Sequence, residues 1–198
     1  MAENVEVLAI NANSLSDRLR LCWGHLEDWK RLEIVKESEK WLEETSRQFA
    51  PTTLIAYTSG APVGMIEFIP YRLMRTAGLC PCRTNPERKM KSRYILRSEF
   101  NDYLFISCLW VHKDHQGKGV GKTLLHHFLA SEVFKNSSGA LVYVTQRDPR
   151  WEEHIHWPAG PKGFYLKAGF TVEKTLVKPA GYLLSRRNPH RKTIIRKP

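Results

Sequence analysis

Apolar residues recur along this chain with two different periods, and each change of period marks the end of an element. Val5-Glu6-Val7-Leu8-Ala9-Ile10 alternates as a strand does, and the polar run from Asn11 to Ser14 ends it. Leu15, Leu19 and Leu21 then keep helical spacing, with Ser14 or Ser16 as the N-cap. A longer helix is expected over about Glu27 to Phe49, where Trp29, Leu32, Ile34, Val35, Trp41, Leu42 and Phe49 stand among Lys and Glu. Pro51 stops it. Two β-rich runs, Thr52 to Thr58 and Pro62 to Tyr71, flank Ser59-Gly60 and predict a hairpin. Period two places Met65, Glu67 and Ile69 on one face of its second strand, Ile66 and Phe68 on the other.

Tyr103 to Val111 is short, aromatic and β-branched, bounded by Asp102 and the polar stretch His112 to His115, and so predicts a buried strand. After the turn Gln116 to Lys122, Leu124, Leu125, Phe128, Leu129 and Val133 form one face of an amphipathic helix reaching about Lys135. Ser137-Ser138-Gly139 closes it, and Ala140 to Thr145 reads as the next strand. Strand, crossover helix, strand implies a parallel pair with a right-handed connection. Gln146 to Pro161 follows as an irregular loop, Lys162 to Phe170 as a short helix ended by Gly169, and Thr171 to Val177 and Gly181 to Ser185 as closing strands. The sum is an α/β fold with a mixed sheet of about seven strands and helices on both faces, in a single domain over residues 1–185. The tail, 186–198, holds six Lys or Arg and two Pro, and is expected to be exposed.

The turn before the central helix carries the chemistry. Gly117, Gly119 and Gly121 let the backbone approach a ligand and swing into the helix without Cβ clashes. The first helical N–H groups point unpaired into that turn, the helix dipole adds partial positive charge, and Lys118 and Lys122 add full charges. The result is an anion seat suited to a diphosphate. It is not a Walker loop: only three residues separate Gly117 from Gly121-Lys122-Thr123, where four are needed. A dinucleotide fingerprint would place Gly at 122, in an early βαβ unit.

Gln116 to Gly121 does resemble the acetyl-CoA motif of the GNAT superfamily of acyl-CoA N-acyltransferases, a Gln or Arg followed by x-x-Gly-x-Gly or Ala. The stretch "WVHKDHQGKGVG" looks like the end of that family's fourth strand, and Phe164 to Phe170 resembles its Phe-Tyr-x-Lys-x-Gly-Phe segment. The resemblance runs from about residue 52 to 185. It implies an acetyl-CoA-dependent N-acetyltransferase acting on a primary amine of a small molecule or peptide by direct attack. Backbone groups of Leu109, Trp110 and Val111 would then hold the pantetheine arm, and Gln116, Gly117, Lys118, Gly119, Val120, Gly121, Lys122 and Thr123 the diphosphate, with Lys167 also assigned to the carrier. Tyr165 becomes the candidate general acid for the leaving thiolate, since a phenol near pKa 10 suits that task; its other reading is core packing. Some family members carry a glutamate on the fourth strand, but Phe105, Ile106, Ser107 and Cys108 occupy that region here. Glu67, Glu152, Glu153, His154 and a water chain remain for the base, and Glu67, among apolar neighbours, is either a proton acceptor or a residue of an exposed face. Trp23, His25, Trp29 and Trp41, on the helical layer that flanks the acceptor cleft in that family, are either substrate contacts or core aromatics.

Composition narrows the partners. Lys and Arg number 31 against 20 Asp and Glu, a formal charge of +11, which favours anionic ligands such as CoA, an anionic acceptor, or nucleic acid as a less favoured alternative. Much of the excess lies in residues 72–101, a basic insert between the third and fourth strands that reads either as a lid or as a solvated loop. No 18-residue apolar run occurs, and Met1-Ala2-Glu3-Asn4 lacks a basic leader, so the expectation is a cytoplasmic protein without membrane spans, monomer or homodimer. Four cysteines are too few for a disulfide scaffold. Cys80-Pro81-Cys82 lacks a second ligand pair, so no metal site is assigned. A non-catalytic acyl-CoA-binding module is the remaining rival.

Overall fold

Every strand expected from the hydrophobic pattern forms, and the seven join in one sheet of order β1-β2-β3-β4-β5-β7-β6. The computed structural model describes residues 4–23, 33–77, 98–145, 161–177 and 180–191. The strands are β1 (Glu6–Ala9), β2 (Thr53–Thr58), β3 (Ala61–Pro70), β4 (Tyr103–Val111), β5 (Gly139–Thr145), β6 (Thr171–Val177) and β7 (Ala180–Arg187). All pairs are antiparallel except β4 with β5, where the helical crossover requires a parallel pair. β2 and β3 close as a hairpin over Ser59 and Gly60, both at positive φ.

Helices cover both faces because the central strands are apolar on both. One face packs against α4 (Val120–Ala130), α5 (Glu132–Lys135) and α6 (Lys162–Lys167): Ile66, Phe68, Leu104, Ile106 and Leu109 meet Leu124, Phe128, Phe134 and Tyr165 in the main core. The other lies under α1 (Leu15–Trp23), α2 (Glu33–Gln48) and α3 (Tyr71–Ala77), with smaller clusters around Ile55, Met65 and Cys108 and around Trp41, Leu42 and Ile69. Burying these apolar side chains contributes about 1.5–3 kcal/mol each before the entropy of ordering the chain is set against it.

Local polar groups move several boundaries. Asn11, not Ser14 or Ser16, starts the first helical segment: its side chain accepts from the amides of Asn13 and Ser14, and Ser14 answers as the other half of a capping box. The helix expected to run on to Lys135 breaks at Ser131, whose extended backbone ends α4 and whose hydroxyl accepts from Phe134 N to begin α5. Residues 186 and 187 belong to β7, and Asn188 is buried, donating to the carbonyls of Phe134, Lys135 and Ser137, so the tail is anchored further than its composition suggested. Helix α2 begins at Glu33; Trp29 and His25 lie outside the described residues, as do most of the basic insert, with Cys80 and Cys82, and the loop bearing Glu152, Glu153 and His154. No helix among the described residues is long and apolar enough to cross a membrane.

Candidate active site

The parallel pairing of β4 with β5 ends in mid-sheet. It runs from Tyr103–Gly139 to Ile106–Val142 and stops, although β4 continues to Val111 and β5 to Thr145. On its other edge β4 stays with β3 as far as Val111–Gly64. The two parallel strands therefore fork, and the β5-facing backbone of Leu109 and Val111 has no strand beside it among the described residues, whereas Trp110 between them turns its backbone to Met65 of β3. A β-bulge lies at the fork: the β3 partner steps from Cys108 opposite Glu67 to Ile106 opposite Phe68, leaving Ser107 as the extra residue. Bulges bend and twist the strand that carries them, which turns the end of β4 away from β5. Hydrogen-bonding groups along such an edge suit a ligand that carries amides of its own.

The fork leads into the anion seat. Gln116 Nε2 donates to Val111 O at 3.0 Å, tying the turn to the strand it follows. Gly117 and Gly119 hold φ of 76° and 91°, and a Cβ at either would meet nothing within 4 Å, so the cradle is open above them. Gly119 is the N-cap of α4 and offers no side-chain acceptor, and the helical ladder begins with Thr123 N on Gly119 O at 3.0 Å. The amides of Val120, Gly121 and Lys122 come before that bond and remain available to an anion, whereas Thr123 can offer only its hydroxyl. Lys118 and Lys122 are exposed beside them. Donor chemistry and open space both fit a diphosphate.

Helix α6 closes the same corner. A Cβ on Gly121 would stand 3.5 Å from Leu109 Cδ2, 3.6 Å from Val111 Cγ2 and 3.9 Å from Phe164 Cε2, so the end of β4, the start of α4 and the start of α6 converge there. Tyr165, next to Phe164, is fully buried in the main core, edge-on to Phe164 and Phe170 with ring centroids 5.1 and 5.2 Å apart. Lys167 is exposed in the last turn of the helix.

Glu67 occupies the opposite face of the sheet and is fully buried, so the exposed-face reading does not hold. Its Oε2 lies 2.5 Å from Arg18 Nη2 on α1, and its Oε1 accepts from Ser107 Oγ at 2.7 Å. Sequence reasoning missed Arg18. The signal was available: a lone cation on the Leu15-Leu19-Leu21 stripe and a lone anion on an apolar strand face are each unfavourable unless they meet. Trp41 packs with Leu42 and Ile69, and Cys108 with Leu21, Ile55 and Met65, which assigns both to the core.

Known proteins share this fold. The family model described as Acetyltransferase (GNAT) family matches residues 13–170. Among solved structures, a ribosomal-protein-alanine N-acetyltransferase from Brucella melitensis superimposes with a TM-score of 0.60 at 15% identity, covering 92% of this chain and 99% of that one. The PaiA N-acetyltransferase of Thermoplasma acidophilum, in complex with coenzyme A, gives 0.56 at 17% identity, covering 93% and 99%. Arabidopsis thaliana Naa50, in complex with the bisubstrate analogue CoA-Ac-MVNAL, gives 0.54 at 16%, covering 92% and 97%. No curated protein sequence matches significantly.

Proposed function

This chain belongs to the GNAT acetyltransferase family, an acetyl-CoA-dependent acyltransferase by that membership, and we propose that it transfers the acetyl group to a primary amine of a small molecule or peptide by direct attack. The observation that carries the proposal is the β4–β5 fork opening onto the uncapped start of α4. An elongated carrier with amides in its arm and a diphosphate further along would meet acceptors and donors in that order. Of the three strand residues expected to hold the arm, Leu109 and the Val111 amide supply backbone groups to it, while Trp110 is paired with β3; the turn Gln116 to Lys122 with the Thr123 hydroxyl supplies amides, dipole and cations to the diphosphate. Lys167, exposed in the last turn of α6, is the further cation this proposal assigns to the carrier. Two neighbours are named for action on a ribosomal protein's alanine and for a peptide-bearing analogue, which favours an amino-terminal amine as acceptor. The cytoplasm, one compartment supplied with acetyl-CoA, is the location this proposal takes.

Transfer requires a neutral amine beside the thioester carbonyl and a proton for the departing thiolate. Tyr165 is the acid in this proposal: its phenol lies on the helix that meets the fork, and a phenol with an ordinary pKa of about 10 carries its proton at neutral pH. Glu67 is engaged by Arg18 and Ser107 on the face of the sheet opposite α4, so in this proposal water carries the amine proton away. The test is release of free CoA from acetyl-CoA in the presence of a panel of amines and short peptides with free amino termini. Acceptor-dependent release supports the transferase; tight CoA binding with no release under any acceptor would make the chain a CoA-binding module instead.

A further inference from the structure

Two fully buried charges still lack a role. Arg18 and Glu67 meet under α1, and a pair of apolar residues of similar volume would stabilise that layer as well or better, so stability is a weak account of them. Their position says more. Glu67 lies opposite Cys108 in the sheet, and its Oε1 accepts from Ser107, the extra residue of the bulge. Ser107 Oγ also lies 3.3 Å from the Glu67 carbonyl oxygen. Ile106, the residue before Ser107, is the last of β4 to pair with β5.

Hydrophobic pattern cannot fix the register here. Cys108 and Trp110 pack toward α1 while Leu109 and Val111 pack toward α4, and all four are apolar. A slip of one residue would exchange the two faces with little change in burial. A hydroxyl held by one particular carboxylate, itself held by one particular guanidinium, does discriminate between the registers.

We infer that Arg18, Glu67 and Ser107 form a clamp that pins the β4 bulge, and through it sets the fork in which the thioester carbonyl is aligned against the β4 backbone. They are positioning residues and touch no reacting atom. The inference rests on the transferase reading, in that the fork is where the acyl group lies.

The test pairs Arg18→Met/Glu67→Leu, which removes both charges and leaves neither buried alone, with Ser107→Ala and Ser107→Thr. In the double variant the fold and CoA affinity persist, the latter within about threefold, because the diphosphate seat is untouched. Its kcat falls about tenfold or more, the scale expected of small misplacement, with the pH dependence of kcat/KM unmoved. Ser107→Ala lowers kcat in the same way, and Ser107→Thr restores it. Amide hydrogen exchange adds a readout independent of activity: within residues 107–111, the β3-paired amides of Cys108 and Trp110 exchange at least about tenfold faster in the double variant and in Ser107→Ala, while α4 keeps its protection. Wild-type kcat with unchanged exchange would reduce the pair to a structural ion pair and overturn the clamp, and loss of a pH-profile limb would overturn it in favour of Glu67 as base. If the wild-type protein transfers no acetyl group, the transferase reading falls and exchange at 107–111 still decides the clamp. If the double variant does not fold, exchange in Ser107→Ala decides it alone.

Discussion

Gln116 Nε2 and Val111 O, 3.0 Å apart, join the last residue of β4 to the first of the glycine turn. That bond sets the angle at which the turn leaves the strand, and so where the amides of 120–122 point. Gln116→Ala removes a surface hydrogen bond of about 0.5–1.5 kcal/mol. Its cost is expected in binding: CoA affinity drops about threefold to tenfold by calorimetry, with the melting temperature nearly unchanged. Equal affinities would mean that the turn holds its shape without the bond.

Gly119 and Gly60 form a natural control pair. Both have positive φ, 91° and 77°, and a Cβ at either would meet no atom within 4 Å, so alanine at each is strained by the backbone alone. The strain is about 1 kcal/mol in both cases. Gly119→Ala and Gly60→Ala are therefore predicted to unfold at similar denaturant midpoints, below wild type, while only Gly119→Ala weakens CoA binding. If Gly60→Ala weakened it equally, affinity would be tracking stability rather than the seat.

Tyr165→Phe tests the acid. The ring stays in the core between Phe164 and Phe170, so stability should change by no more than about 1.5 kcal/mol, the worth of one hydroxyl. If the phenol protonates the thiolate, kcat falls about a hundredfold or more and the limb of its pH profile at high pH disappears. A fall in kcat with that limb intact would assign Tyr165 to packing.

The strand-turn-helix at the centre of the chain was legible because three local signals coincide there: a β-branched run, glycines at single-residue spacing, and apolar residues at helical spacing. The seven strands followed from alternation and turn residues in the same way. What stayed hidden depends on contacts between distant segments. Arg18 and Glu67 are 49 positions apart, and neither segment alone reveals the other. Asn188 lies in a stretch whose basic composition reads as a solvated tail, and only the arrival of the carbonyls of Phe134, Lys135 and Ser137 beneath β7 makes it part of the core. The bulge at Ser107 was invisible for a related reason: with apolar residues on both faces, period two has no phase to lose.

Tyr57 gives a prediction about alkaline stability. Its Oη donates to Asp17 Oδ2 at 2.8 Å, tying β2 to α1. Burial, then the hydrogen bond to Asp17 and the charges of Asp17 and Glu6, push its pKa from 10.0 up to about 12. A group whose folded pKa is raised keeps its contribution in full below the unfolded value and loses it as pH climbs to the folded one. The tie is thus intact below pH 10 and fades between about 10 and about 12. Tyr57→Phe lacks the tie at every pH. The melting temperature of wild type should exceed that of the variant at pH 8, and the gap should narrow by pH 11. A gap that stays constant across that range would show that the hydroxyl contributes nothing that depends on its proton.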